Sequence, residues 1–160
     1  MFFDRIKSEA KSNKVKVFFD MDGVLAEYEI ISEDVFDKPD FYKNLRPLRA
    51  SLKFMKKVSK LKNVDACILS CCRKTQHRLD KIAWLNKYAP YLKPENVHII
   101  CYEEIKFKPE DKYKLKENFL LKMKKKEDFV AFHVDDDVRI IKAERATKGI
   151  NIIHLSSIIY

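Results

Sequence analysis

Five short apolar runs constrain this chain more than any other feature. They are KVKVFF (14–19), VDACILS (64–70), NVHIIC (96–101), DFVAFHV (128–134) and INIIHL (150–155). A strand with one wet face alternates apolar and polar residues, whereas a strand covered on both faces stays apolar along its length. Most of these runs are of the second kind, which calls for helices above and below a parallel sheet. The segments between them supply helical stripes: Phe2, Phe3, Ile6 and Ala10; Leu48, Leu52, Met55 and Val58; Leu79, Ile82 and Ala83; Leu115, Phe119 and Met123. A shorter helical pattern from about 138 to 148 stops at Gly149, a residue suited to a left-handed cap. The expected fold class is α/β, a three-layer sandwich with a central parallel sheet, built as a single domain over residues 1–160.

The same sequence narrows the setting. No apolar run approaches the ~18 residues of a membrane span. The N-terminal MFFDRIKSEAKSNK carries acids and lacks the long apolar centre of a secretory leader. A cytoplasmic protein without membrane attachment is expected. Its four cysteines, Cys67, Cys71, Cys72 and Cys101, include no C-x-x-C pair and suit buried reduced thiols better than zinc ligands. The formal charge of +9 favours anionic partners such as nucleotides, nucleic acid or phosphorylated ligands, without choosing among them.

In parallel α/β sheets ligands bind beyond the carboxyl ends of the strands. Acids collect at those ends here. Asp20 and Asp22 follow the first run, Ser70 ends the second, and Asp135, Asp136 and Asp137 follow the fourth. Gly23, one of only 2 glycines in 160 residues, stands directly after Asp22, where it lets the chain leave the strand by a path other residues resist. Converging carboxylates without a counter-charge repel one another and hold protons. A divalent cation relieves that repulsion, and ligands that are all oxygen suit Mg²⁺.

The stretch DMDGV at Asp20–Val24 resembles the first motif of the haloacid dehalogenase superfamily of phosphohydrolases. The wider FFDMDGVLAEYE is similar to its 5′(3′)-deoxyribonucleotidase branch, and DFYKNLRPLRASLKFM resembles the segment leading from cap to core in that branch. CILS resembles the second motif and FHVDDD the fourth. The likeness runs from about Phe18 to Asp136, with the motifs in the family's order.

This resemblance implies a division of labour. Asp20 would be the nucleophile that forms an aspartyl-phosphate, and Asp22 the acid that protonates the leaving group and then activates water. Mg²⁺ would be held by Asp20, the main-chain carbonyl of Asp22, and Asp135, with Asp136 as an outer or alternate ligand. Asp137 leaves that register open by one place. Ser70 would donate to a phosphoryl oxygen. A third-motif cation is also implied, and KFKPEDKYK (106–114) offers Lys106, Lys108, Lys112 and Lys114. Lys112 has the spacing from Asp135 that suits the family, with Lys108 in reserve. His77, His98, His133 and Trp84 are expected to be structural, and Arg73 and Lys74 to face water, the alternative being that they reach a second phosphate or the nucleic-acid backbone.

The chain departs from the nucleotidase branch between the first motif and FYKNLRP. Only a short cap or flap insert, about 26–46, separates them, with Tyr28, Phe36, Phe41 and Tyr42 available to pack or to stack on a base. The expected activity is Mg²⁺-dependent hydrolysis of a phosphorylated small molecule or nucleotide. An open site would also admit a nucleic-acid end or a phosphoprotein, and a binding module that keeps the fold without turnover is the alternative of a different class. The oligomeric state is left open.

Overall fold

The computed structural model describes residues 2–28, 35 and 38–159. Five strands form one sheet: β1 Val15–Phe19, β2 Val64–Cys72, β3 Val97–Cys101, β4 Val130–Asp135 and β5 Ile150–His154. Their order is β3-β2-β1-β4-β5 and every pairing is parallel. The α/β class and the parallel sheet read from the apolar runs are therefore observed. The strand ends differ from the expected ones by one or two residues, chiefly because β2 continues through Cys71 and Cys72.

Among the described residues the α-helices that accompany the strands are α1 Phe2–Glu9, α2 Arg49–Val58, α3 Thr75–Tyr88, α4 Leu115–Lys124, α5 Val138–Arg145 and α6 Ser156–Ile159. Strand alternation splits the core in two. Val15, Val17 and Phe19 face one layer with Ile6, Met55, Val58 and Trp84, while Phe18 faces the other with Cys67, Leu69, Leu120 and Phe129. Full burial of each large apolar side chain stabilises the fold by roughly 1.5–3 kcal/mol. Lys16 interrupts β1 without harm, since its ammonium reaches Glu127 at 2.7 Å and the Phe129 ring at 5.2 Å.

Two helices turn a different face inward from the one the apolar stripes predict. In α3, Leu79 and Ile82 are exposed, and the buried positions are His77, Asp80, Lys81, Trp84 and Leu85. Lys81 spends its donors inside the protein, and Asp80 accepts a hydrogen bond from Gln76 at 2.9 Å. Polar partners thus offset a burial that hydropathy alone disfavours. In α4 the fully covered residues are Lys116 and Leu120, with Leu115, Phe119 and Met123 only partly covered.

The β1 strand lies between β2 and β4, so the chain's strand order reverses beside it. Phe19 pairs with Val134, and the Asp20 amide donates to the Val134 carbonyl at 3.0 Å. Asp20 and Asp135 are thereby set side by side at the carboxyl edge of the sheet, the place where open α/β sheets form their crevice. After Asp20 the chain folds into a tight turn in which the Leu25 and Ala26 amides donate to the Met21 carbonyl at 2.8 and 2.9 Å. The two ends of the insert are tied together: the Glu27 amide donates to the Arg46 carbonyl and the Leu48 amide to the Leu25 carbonyl, each at 2.8 Å. Phe36 lies outside the described residues, whereas Tyr42 is buried against His77. Among the described residues no helix is long and apolar enough to cross a membrane.

Candidate active site

A cleft of about 450 Å³ opens at the carboxyl edge, and Asp20, Asp22, Ser70, Lys112, Lys116 and Asp136 are among its lining residues. They arrive from the turn after β1, the end of β2, the 3₁₀ stretch before α4, α4 itself and the end of β4, and two cation-centred clusters form among the acids.

The first cluster centres on Lys116, in the first turn of α4. Its ammonium lies 2.9 Å from an Asp20 oxygen and 2.7 Å from Asp135 Oδ2. Burial by itself would push the Asp20 carboxyl up, but the charges of Lys116 and Lys81, with hydrogen bonds from Lys116 and the Met21 amide, outweigh it and hold the group below its ordinary value. Asp20 is accordingly an ionised, buried carboxylate. Lys116 is held charged in turn: burial opposes its charge, and Asp20 and Asp135 more than compensate. Asp135 is fully buried and takes the Asp137 amide on Oδ1 at 2.9 Å. Behind it His133 and Glu144, both fully buried, pair at 2.8 Å through Nδ1.

The second cluster centres on Lys81 of α3. Its ammonium donates to Asp22 Oδ2 at 2.5 Å, to Ser70 Oγ at 3.0 Å and to the Cys71 carbonyl at 2.9 Å. Burial raises the Asp22 carboxyl, the neighbouring charge of Asp20 adds to the rise, and Lys81 only partly opposes it. Asp22 Oδ1 is buried with no hydrogen-bond partner among the described residues. Two carboxyls one residue apart are thus driven in opposite directions, the usual mark of a nucleophile beside an acid.

The third acid of VDDD has a local task. Asp137 caps α5, accepting from the Arg139 amide at 2.9 Å and gripping the Arg139 guanidinium. That leaves Asp135 and Asp136 facing Asp20. One oxygen of each of Asp20, Asp135 and Asp136 lies within 4.8 Å of the others. Asp136 has no cationic partner among the described residues, and its carboxyl is pushed up to about 7, by burial first and then by the charges of Asp20 and Asp135. A third carboxylate crowded against two others in this way fits the demand of a divalent cation with oxygen ligands. Gly23 makes room for it: its φ is +76°, and a side-chain carbon there would overlap the Asp136 carboxylate.

The structure places the remaining candidates plainly. Lys112 stands at the rim with its ammonium 5.4 Å from the Tyr102 ring centre, and the Lys116 side chain, not that of Lys112, contacts the carboxylates. The reason is local: residues Pro109–Lys114 form a 3₁₀ stretch, and the α-helix that points inward begins only at Leu115. Lys108 precedes that stretch and does not line the cleft. Arg73 and Lys74 are exposed. His98 packs between Phe18 and Phe119, and Trp84 donates to the Leu45 carbonyl at 2.8 Å. All four cysteines are free thiols, of which Cys71 lines the cleft. Sequence reasoning missed Lys81 and Lys116. Lys116 carried a faint signal, since it is the next lysine in the chain, two residues after Lys114.

No protein-family model matches the sequence. No curated protein matches it either. Solved structures do resemble the fold. A chain of the Pnkp1/Rnl/Hen1 RNA repair complex aligns with 89% of this chain and 42% of its own length, at 15% identity and a TM-score of 0.68. A haloacid dehalogenase-like hydrolase from Burkholderia xenovorans aligns over 89% of this chain and 82% of its own, at 13% identity and a TM-score of 0.56. The haloacid dehalogenase domain of the effector Lem4 from Legionella pneumophila covers 88% and 85%, at 17% identity and a TM-score of 0.53. This chain thus spans less than half of the RNA-repair chains it matches. Resemblance at such identities speaks for architecture, and the architecture is that of the haloacid dehalogenase-like hydrolases.

Proposed function

We propose that this protein is a Mg²⁺-dependent phosphatase that hydrolyses phosphomonoesters, nucleotides among them, through an aspartyl-phosphate on Asp20. The observation that carries the reading is the opposed pair in one cleft: Asp20 held ionised, Asp22 held towards its protonated form. In the first step an Asp20 oxygen attacks phosphorus, the bond to the leaving oxygen breaks, and Asp22 gives that oxygen its proton. In the second, the Asp22 carboxylate takes a proton from water, the water oxygen attacks phosphorus, and the bond to Asp20 breaks. Lys116 has an N–H beyond the two spent on Asp20 and Asp135, and with the Ser70 hydroxyl it can hold the phosphoryl oxygens. Asp20, the Asp22 carbonyl, Asp135 and Asp136 would hold Mg²⁺, which would supply positive charge between the nucleophile and the phosphoryl oxygens.

A second reading keeps this chemistry and sends a nucleic-acid end into the cleft. It is favoured by the short insert, by the half-exposed Tyr28 at the mouth, and by the Arg139 guanidinium lying 4.5 Å over the Tyr113 ring beside it. Stacking faces and cations are what a polynucleotide terminus needs. The RNA-repair complex among the structural neighbours points the same way. The test is phosphate release from p-nitrophenyl phosphate, a mononucleotide panel and 5′- or 3′-phosphorylated oligonucleotides, each with Mg²⁺ and with chelator. Hydrolysis that needs Mg²⁺ and disappears in Asp20→Asn is expected. Undiminished activity in Asp20→Asn, or none on any substrate, would remove the proposal.

A further inference from the structure

We infer that Lys81 is a positioning residue that fixes the Ser70 hydroxyl as a donor towards the phosphoryl group. The inference rests on reading the cleft as a phosphoryl site. An ammonium carries three N–H donors and no acceptor. All three donors of Lys81 are spent within the protein, on Asp22 Oδ2, Ser70 Oγ and the Cys71 carbonyl, and the side chain is 0% exposed. It therefore has no N–H left for a ligand.

Its effect on Ser70 is directional. Ser70 is 1% exposed and lines the cleft. Because Lys81 can only donate, Ser70 Oγ must accept from it, and the hydroxyl proton is turned away from the ammonium. That proton has no acceptor among the described residues. A buried hydroxyl whose donor is unspent loses a hydrogen bond unless a ligand supplies the acceptor. A phosphoryl oxygen in the cleft would supply it. The third bond anchors the device: the Cys71 carbonyl belongs to the residue after Ser70 on β2, so Lys81 is tied to the strand that carries the hydroxyl. The ring of Tyr42, 4.9 Å from the ammonium and itself buried, closes the remaining side. Without Lys81 nothing fixes the rotation of the hydroxyl, which could then meet phosphate with a lone pair instead of its proton.

The test is a double-mutant cycle on the binding of inorganic phosphate in Mg²⁺, followed by calorimetry on the parent, Lys81→Met, Ser70→Ala and the double variant. Each single change should weaken phosphate about tenfold, the size of one lost hydrogen bond to a charged group. The double variant should bind about as weakly as Ser70→Ala alone, because Lys81 has nothing left to orient. A purely structural lysine would give losses that multiply, and that result would overturn the inference, as would phosphate binding by Lys81→Met within about twofold of the parent. If Lys81→Met shows no cooperative melting, the cycle is run with Lys81→Gln, whose amide nitrogen stops about one bond short of the ammonium position. Phosphate binding needs no turnover. A parent protein that binds phosphate, shows this coupling and hydrolyses nothing would overturn the proposed activity and leave the role of Lys81 standing. A parent that does not bind phosphate would overturn both.

Discussion

The Lys116 ammonium bridges Asp20 and Asp135, at 2.9 and 2.7 Å, and joins the ends of β1 and β4 through one buried cation. Removing it strands two buried carboxylates. Breaking a buried pair in this way costs about 3–5 kcal/mol, and the loss of a charged donor at the phosphoryl site costs on the order of 10²–10³ in kcat. Lys116→Met should show both, in denaturant unfolding and in steady-state hydrolysis of an aryl phosphate. Lys112→Met should change kcat on that small substrate by less than about threefold, as surface changes do. The opposite ranking of the two lysines would move the cation site to the rim.

Asp22 makes a prediction that depends on the leaving group. Its carboxyl is raised and that of Asp20 lowered, the directions that the proposed mechanism needs for Asp20 as the ionised nucleophile and Asp22 as the protonated acid. Hydrolysis of an alkyl phosphate should fall at low pH as Asp20 gains its proton, and fall at high pH as Asp22 loses its own. The aryloxide of an aryl phosphate leaves without a proton, so Asp22→Asn should spare the first step on that substrate and slow water attack by roughly 10²–10⁴. Rapid mixing of Asp22→Asn with p-nitrophenyl phosphate should then give a stoichiometric burst of p-nitrophenolate and a slow steady state. A variant with a proportional loss and no burst would place Asp22 outside the second step.

How much of this was legible beforehand follows from which physics wrote it. The sheet was readable because strands buried on both faces are near-continuous apolar runs, and VKVFF and VAFHV are each broken by a single polar residue, Lys16 and His133. The acids at Asp20, Asp22, Asp135 and Asp136 were readable because strand ends fix their place before any side chain is packed. The buried lysines were not. Lys81 and Lys116 sit on helix faces that look inward only because carboxylates are waiting there, and those carboxylates are 59 and 19 residues distant in the chain. Hydropathy periodicity assigns such faces to solvent, which is why Leu79 and Ile82 took their place in the expected core. The role of Asp137 was likewise hidden in a run of three identical residues until its hydrogen bond to the Arg139 amide identified the helix cap.

Asp136 gives a metal-linked dependence on pH. Its carboxyl titrates near 7 in the folded protein and at about 4 in the unfolded chain. Between those values the native state binds the extra proton, so metal-free stability should decline as pH rises from about 4 towards 7 and level off above. Mg²⁺ binding needs the ionised form, so its stabilising effect should be small at pH 5.5 and larger at pH 8. Asp136→Asn should flatten the metal-free decline and remove most of the Mg²⁺ response. Melting temperatures across that range, with and without Mg²⁺, test both halves. An unchanged Mg²⁺ response in Asp136→Asn would remove Asp136 from the ligands of the ion.

Gly23 carries two constraints at once, and they can be separated. Its φ of +76° disfavours any side chain, at a cost of about 1–3 kcal/mol. A Cβ would also overlap the Asp136 carboxylate. Gly23→Ala should therefore lose both stability and Mg²⁺ affinity. Paired with Asp136→Gly, which clears the overlap, Gly23→Ala should keep only the backbone penalty. The cost of Gly23→Ala should thus be smaller in the Asp136→Gly background than in the parent, measured by denaturant unfolding without metal. Equal costs in the two backgrounds would mean that the turn alone selects glycine and that the carboxylate beside it is incidental.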